Sequence, residues 1–105
     1  MERRFASTIV MAEIVQEDYS SFLDELPLDN RLLPTYEAWR EQFEHVDFAH
    51  RAAGNNTQHC VVPFDEFMAF MESVNMTPSY AALETYAAYK FRNQMGWIDR
   101  RRSVP

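Results

Sequence analysis

Apolar residues recur at steps of three and four along most of this chain, and prolines cut the pattern into pieces of helical length. From Ser7 to Leu26, the positions Ala12, Val15, Tyr19, Phe22 and Leu26 share one face and predict a first helix that ends at Pro27. The run from Phe5 to Val10 is rich in β-branched side chains, which favour strands, so residues 5–12 are readable as helix or as strand. If they are extended, His59 to Val62 is the one obvious strand partner. Residues 27–34 form a leucine-bearing connection between two prolines.

The clearest periodicity lies in Tyr36, Trp39, Phe43, Val46, His50 and Ala53, which predicts a second helix from 35 or 36 to 53 with Thr35 as its cap. Glu37, Glu41, Glu44, Asp47 and Arg51 fall mainly away from that stripe. Asp47 and Arg51 have the i,i+4 spacing of a helical ion pair. Gly54 through Thr57 ends the helix. A third helix is expected to open at Pro63, with Asp65 and Glu66 at the positive end of its dipole. Its apolar side chains Phe64, Phe67, Met68, Phe70, Met71 and Val74 leave little polar face and mark it as the most buried element. A fourth helix, capped by Thr77 and started by Pro78, should run through Tyr80, Leu83, Ala87, Lys90 and Phe91 and stop at Gly96. Four helices with short links predict an all-α fold, a compact bundle with an extended N-terminal segment as the variant reading. The 105 residues suit one domain, with flexible basic ends at 1–6 and 97–105.

Composition supports a folded chain, because 47% hydrophobic and 14% aromatic residues provide enough apolar surface to offset chain entropy. Charge adds more. The net charge of −6 conceals a segregation: residues 5–89 carry 14 acids against Arg31, Arg40 and Arg51, a net of −11, while both ends are basic. Such a field disfavours non-specific contact of the body with nucleic acid and favours a basic protein as partner. The lone Cys60 has no internal disulfide partner and fits a small buried side chain in a reducing compartment. No run approaches the ~20 apolar residues of a membrane-spanning helix. Ser7, Thr8 and Glu13 interrupt the only stretch that resembles a signal peptide. A cytoplasmic protein is therefore expected.

Candidate chemistry is thin. Glu41, Glu44, His45, Asp47 and His50 crowd one helix and Asp47-x-x-His50 has ligand-like spacing, but the second carboxylate-x-x-His motif that a di-iron bundle needs is absent, and His45 and His50 point apart. Cys60 beside His59 lacks the geometry of a thiol-imidazole pair, since neighbours in an extended segment face opposite ways. With only Gly54 and Gly96, the chain has no phosphate-cradling loop. No catalytic residue, metal site or cofactor is expected.

The sequence thus points to a non-enzymatic acidic protein-binding module, an inhibitor or antagonist docking on the basic surface of a nucleic-acid-binding protein. Glu37, Glu41, Glu44 and Asp47, with exposed Tyr86 and Tyr89, are the candidate contacts. Two alternatives compete. Residues 64–92 have the lengths of a helix-turn-helix, with Asn75 in the left-handed turn between Val74 and Met76, and Ser79, Tyr80, Lys90, Arg100, Arg101 and Arg102 at DNA. The acidic body and the scarcity of cations before Lys90 argue against it. The third reading is a helical subunit of a larger assembly. The oligomeric state, monomer or homodimer, is open at this level.

Overall fold

A computed structural model describes residues 7–27, 29 and 31–103, with side chains to 94. Its element order is β1 (Thr8–Glu13), α1 (Gln16–Glu25), α2 (Tyr36–Ala52), β2 (Asn56–Val61), α3 (Phe64–Ser73) and α4 (Tyr80–Ser103). The fold is mixed α/β: β1 and β2 form a two-stranded parallel sheet in unbroken register from Thr8↔Asn56 to Glu13↔Val61. This overturns the all-α expectation. The first helix begins at Gln16, not Ser7, because Thr8, Ile9 and Val10 take the strand alternative and Ile14 turns wholly into the core. Ala12 and Val15 matched a helical stripe only by coincidence of spacing. Parallel strands cannot be joined by a tight turn, and α1 and α2 supply the long crossover that they need.

The sheet lies between helices. Thr57 and His59 face α2, where Arg51 Nε donates to Thr57 Oγ1 (3.1 Å) and the Phe43 and His59 rings stand edge to face at 4.9 Å. By strand alternation Cys60 points to the other face, toward α4, which packs on both strands. Trp39, Phe22, Phe67, Ile14, Leu83 and Val62 are the largest fully buried side chains. Each contributes about 1.5–3 kcal/mol by leaving water. α1 and α3 meet through Phe22, whose ring abuts Phe64 and Phe67 at 5.1 and 6.0 Å.

Helix ends are satisfied in unequal ways. Thr35 caps α2 as its sequence implies, its Oγ1 accepting from the Ala38 amide at 3.1 Å. α3 is preceded by Pro63, which has no capping side chain, and Asp18 of α1 accepts from the Phe64 amide instead (2.9 Å). For α4 the cap is Ser79, accepting from the Ala82 amide at 3.0 Å, so the helix starts two residues beyond Pro78. Gly96 does not stop it, and the backbone stays helical through Ser103 in the segment expected to be a free tail. The expected flexible end at 1–6 lies outside the described residues. Asn75 takes the left-handed conformation, φ +58°, that its side chain tolerates. Val74 and Met76 do not pack around it but stand 43% and 49% exposed.

Candidate functional site

The 27–35 connection and α2 build the acidic flank of the molecule. Asp29 folds the connection onto itself, accepting from the Arg31 amide (2.9 Å) and from its guanidinium (3.1 Å). Arg31 Nη1 then reaches Glu84 of α4 at 2.7 Å, and its guanidinium lies over the Tyr80 ring. The Tyr19 hydroxyl donates to the Leu33 carbonyl (2.6 Å), which fixes the approach to α2; burial pushes its pKa up to about 12. These ties hold α2 with Trp39 and Phe43 inward and Glu37, Glu41 and Glu44 in solvent, while Val46, farther along the predicted stripe, is 39% exposed.

Residues 37, 41, 44 and 48 fall at steps of four, three and four, so Phe48 continues the carboxylate row. Its ring is 71% exposed, more than any other large apolar side chain among those described. Glu41, Glu44, His45 and Phe48 line a shallow trough, and a second one along Leu33, Ala38, Glu41, Gln42 and His45 shares Glu41 and His45 with it. Together they form a shallow, open groove lined by the carboxylates of Glu41 and Glu44, with an aromatic side chain at one end and Glu37 outside both troughs. Glu44 is engaged loosely by Arg40 at 3.4 Å, whose shorter bond, 2.8 Å, goes to Glu13 of β1. Glu37 and Glu41 have no ion-pair partner among the described residues.

Asp47 departs from that row. Its side chain is 18% exposed and turns toward β2, with His59 Nε2 and Arg51 Nε each at 3.2 Å. The Thr57 hydroxyl, then His59 and Arg51, hold its carboxyl down at about 2 against the opposing effect of burial. It acts as an internal clasp between α2 and β2. Its sequence neighbour Phe48 takes the outward position. Phe48 was overlooked because it breaks the apolar stripe; its signal was that break, an aromatic residue placed among acids.

The two tyrosines also divide. Tyr86, expected at the surface, is buried at 9%, and its hydroxyl donates to Glu66 at 2.5 Å. Burial, and the Glu66 carboxylate beside it, raise the Tyr86 pKa. Burial pushes the Glu66 carboxyl upward, but the hydrogen bonds from Tyr86 and Lys90 prevail and hold it below its usual range. Tyr89 is 46% exposed and stacks on Phe70 at 5.5 Å. The two therefore do not form one surface with α2.

The residues nominated for DNA are engaged within the fold. Tyr80 is buried and accepts from Trp39 Nε1 at 3.0 Å; Ser79 caps α4; Lys90 donates to Glu66 (3.1 Å) and to the Val61 carbonyl (3.2 Å). The link between α3 and α4 spans residues 74–79, longer than the expected three-residue turn. The side chains of Arg100, Arg101 and Arg102 lie outside the described residues. Among the described residues no three His, Cys, Asp or Glu side chains converge as a metal site. No described helix is long and apolar enough to cross a membrane. Cys60 is buried, and burial raises its pKa, which disfavours the thiolate.

No protein-family model, curated protein or solved structure matches this chain.

Proposed function

We propose that this protein is a non-enzymatic binding module whose α2 groove docks on the basic surface of a partner protein. The observation that carries the reading is Phe48, a 71% exposed aromatic ring in line with Glu37, Glu41 and Glu44. Leaving so large an apolar side chain in water forgoes about 2 kcal/mol that burial against a partner would recover. The surrounding carboxylates select for Lys and Arg and speed encounter. A carboxylate row also resembles a line of phosphates in charge, so a nucleic-acid-binding groove is the preferred class of target. A cytoplasmic setting accords with the lone reduced Cys60 and belongs to the same proposal.

Affinity capture from lysate at low salt after nuclease treatment tests the reading with three baits: the native chain, a Phe48→Ser variant and a Glu37→Lys/Glu41→Lys/Glu44→Lys variant. A basic protein held by the native chain, released by salt and lost from both variants, is the expected outcome. A partner retained equally by all three baits, or one lost with nuclease, would overturn it.

A further inference from the structure

The sheet offers a second surface, unrelated to the acidic groove. In β2 the Asn56 amide donates to the Ser7 carbonyl (3.0 Å) and the Val62 amide to the Glu13 carbonyl (3.1 Å). With the one-to-one register, these bonds turn the even-numbered residues of β2 toward β1 and the odd-numbered residues of β1 toward β2. The peptide groups of Thr8, Val10 and Ala12 then point away from the sheet. The outer edge of β2 is engaged at one end, where Lys90 donates to the Val61 carbonyl at 3.2 Å. On β1 no bond to the outward peptide groups of Thr8 or Val10 occurs among the described residues. Ala12 is only 3% exposed, which leaves Thr8 to Val10 as the accessible stretch.

We propose that this stretch is a dimerisation edge, at which two copies of the chain pair antiparallel and join their sheets into one of four strands. Pairing Thr8 with Val10 of the second copy, and Val10 with its Thr8, makes both pairs hydrogen-bonded. The two Ile9 side chains then meet at the two-fold axis in the close, non-hydrogen-bonded position. The strand suits a second copy better than a foreign basic one. From Thr8 to Ala12 it carries no charge, so it gives a cationic segment nothing to pair with, while the same uncharged, β-branched residues complement themselves. Nor does β1 carry the features that keep edges apart: no Lys, Arg or Pro lies between Thr8 and Ala12, and the unbroken register contains no bulge. Glu13, its one charge, is held by Arg40 and lies beyond the paired stretch.

Salt separates this contact from the acidic groove. Two copies repel through bodies of like charge, so screening strengthens the dimer, whereas docking on a basic protein weakens as salt rises. Sedimentation of the full chain from low micromolar to several hundred micromolar, at low and high salt, should show a monomer–dimer equilibrium that tightens with salt. Thr8→Pro removes an outward N–H without touching the bonds to β2 and should weaken the dimer by about tenfold or more, with the circular dichroism spectrum unchanged. In the native chain, hydrogen exchange at the Thr8 and Val10 amides should slow as concentration rises, and this readout decides the matter alone if the variant does not fold. A chain that stays monomeric throughout, or a dimer whose Thr8 and Val10 amides exchange at concentration-independent rates, would overturn the proposal. Neither result bears on the α2 groove.

Discussion

Replacing Asp47 with Asn tests whether the clasp between α2 and β2 stabilises the fold, and its size follows from the carboxyl's own titration. The group titrates near 2 where an unstrained aspartate titrates at 3.8. At about 1.36 kcal/mol per pKa unit, that difference gives an upper bound of roughly 2.5 kcal/mol. Arg51 is 59% exposed, so solvent screens its share, and about 1–2 kcal/mol is the expected cost of Asp47→Asn at neutral pH. The sign is fixed by linkage. A carboxyl depressed in the folded state contributes fully above its unfolded pKa, near 4, and its contribution vanishes as pH falls through the folded value, near 2. Urea unfolding of both proteins at pH 7, 4 and 2.5 should therefore show a gap that is full at pH 7 and narrows steadily with acid. The difference between the two proteins cancels the other carboxylates. A gap that is absent at pH 7, or as large at pH 2.5 as at pH 7, would show that the Asp47 carboxylate does not stabilise the fold.

Three further outcomes are expected. Tyr80→Phe removes the acceptor for the buried Trp39 indole N–H and should cost about 1–3 kcal/mol in urea unfolding, more than an exposed Tyr89→Phe. Gly54→Ala should cost about 1–2 kcal/mol although nothing lies within 4 Å of the added Cβ, because the penalty comes from φ +92° alone; a neutral melting temperature would contradict it. Phe48→Ser should leave stability within about 0.5 kcal/mol, whereas Phe67→Ala, at a fully buried ring, should cost about 3–5 kcal/mol.

The sequence was most legible where independent local signals agreed. Helix α2 appears at its expected boundaries because stripe, cap and terminator agree, and Thr35 caps it as read. Asn75 likewise adopts the conformation its residue type suggests. The sheet was harder, since Thr8 to Glu13 supports a strand only if a distant segment pairs with it, and a local pattern of Ala12, Val15, Tyr19 and Phe22 competed. Helix periodicity counts neighbours along the chain; parallel pairing is non-local, and the sequence marked its partner only conditionally, at His59 to Val62, which overlaps the observed Asn56–Val61 strand. Gly96 failed as a terminator because a helical interior tolerates one glycine at a cost of about 1 kcal/mol. At the candidate site, carboxylate spacing correctly set Glu37, Glu41 and Glu44 outward, but it could not separate Asp47 from them. That required knowing that Thr57 and His59 stand opposite. Tyr86 was misplaced for the same reason, its buried hydroxyl having Glu66 of α3 as a partner that no spacing along α4 reveals.

The most direct test of the acidic-groove account is the affinity of the captured basic partner for the native chain and for the Glu37→Lys/Glu41→Lys/Glu44→Lys variant, measured by titration calorimetry across a range of salt. Native binding should weaken steeply with salt, and variant binding should be at least about tenfold weaker at low salt with a much flatter dependence. Equal affinities and parallel salt dependences for the two proteins, with the variant folded, would contradict it.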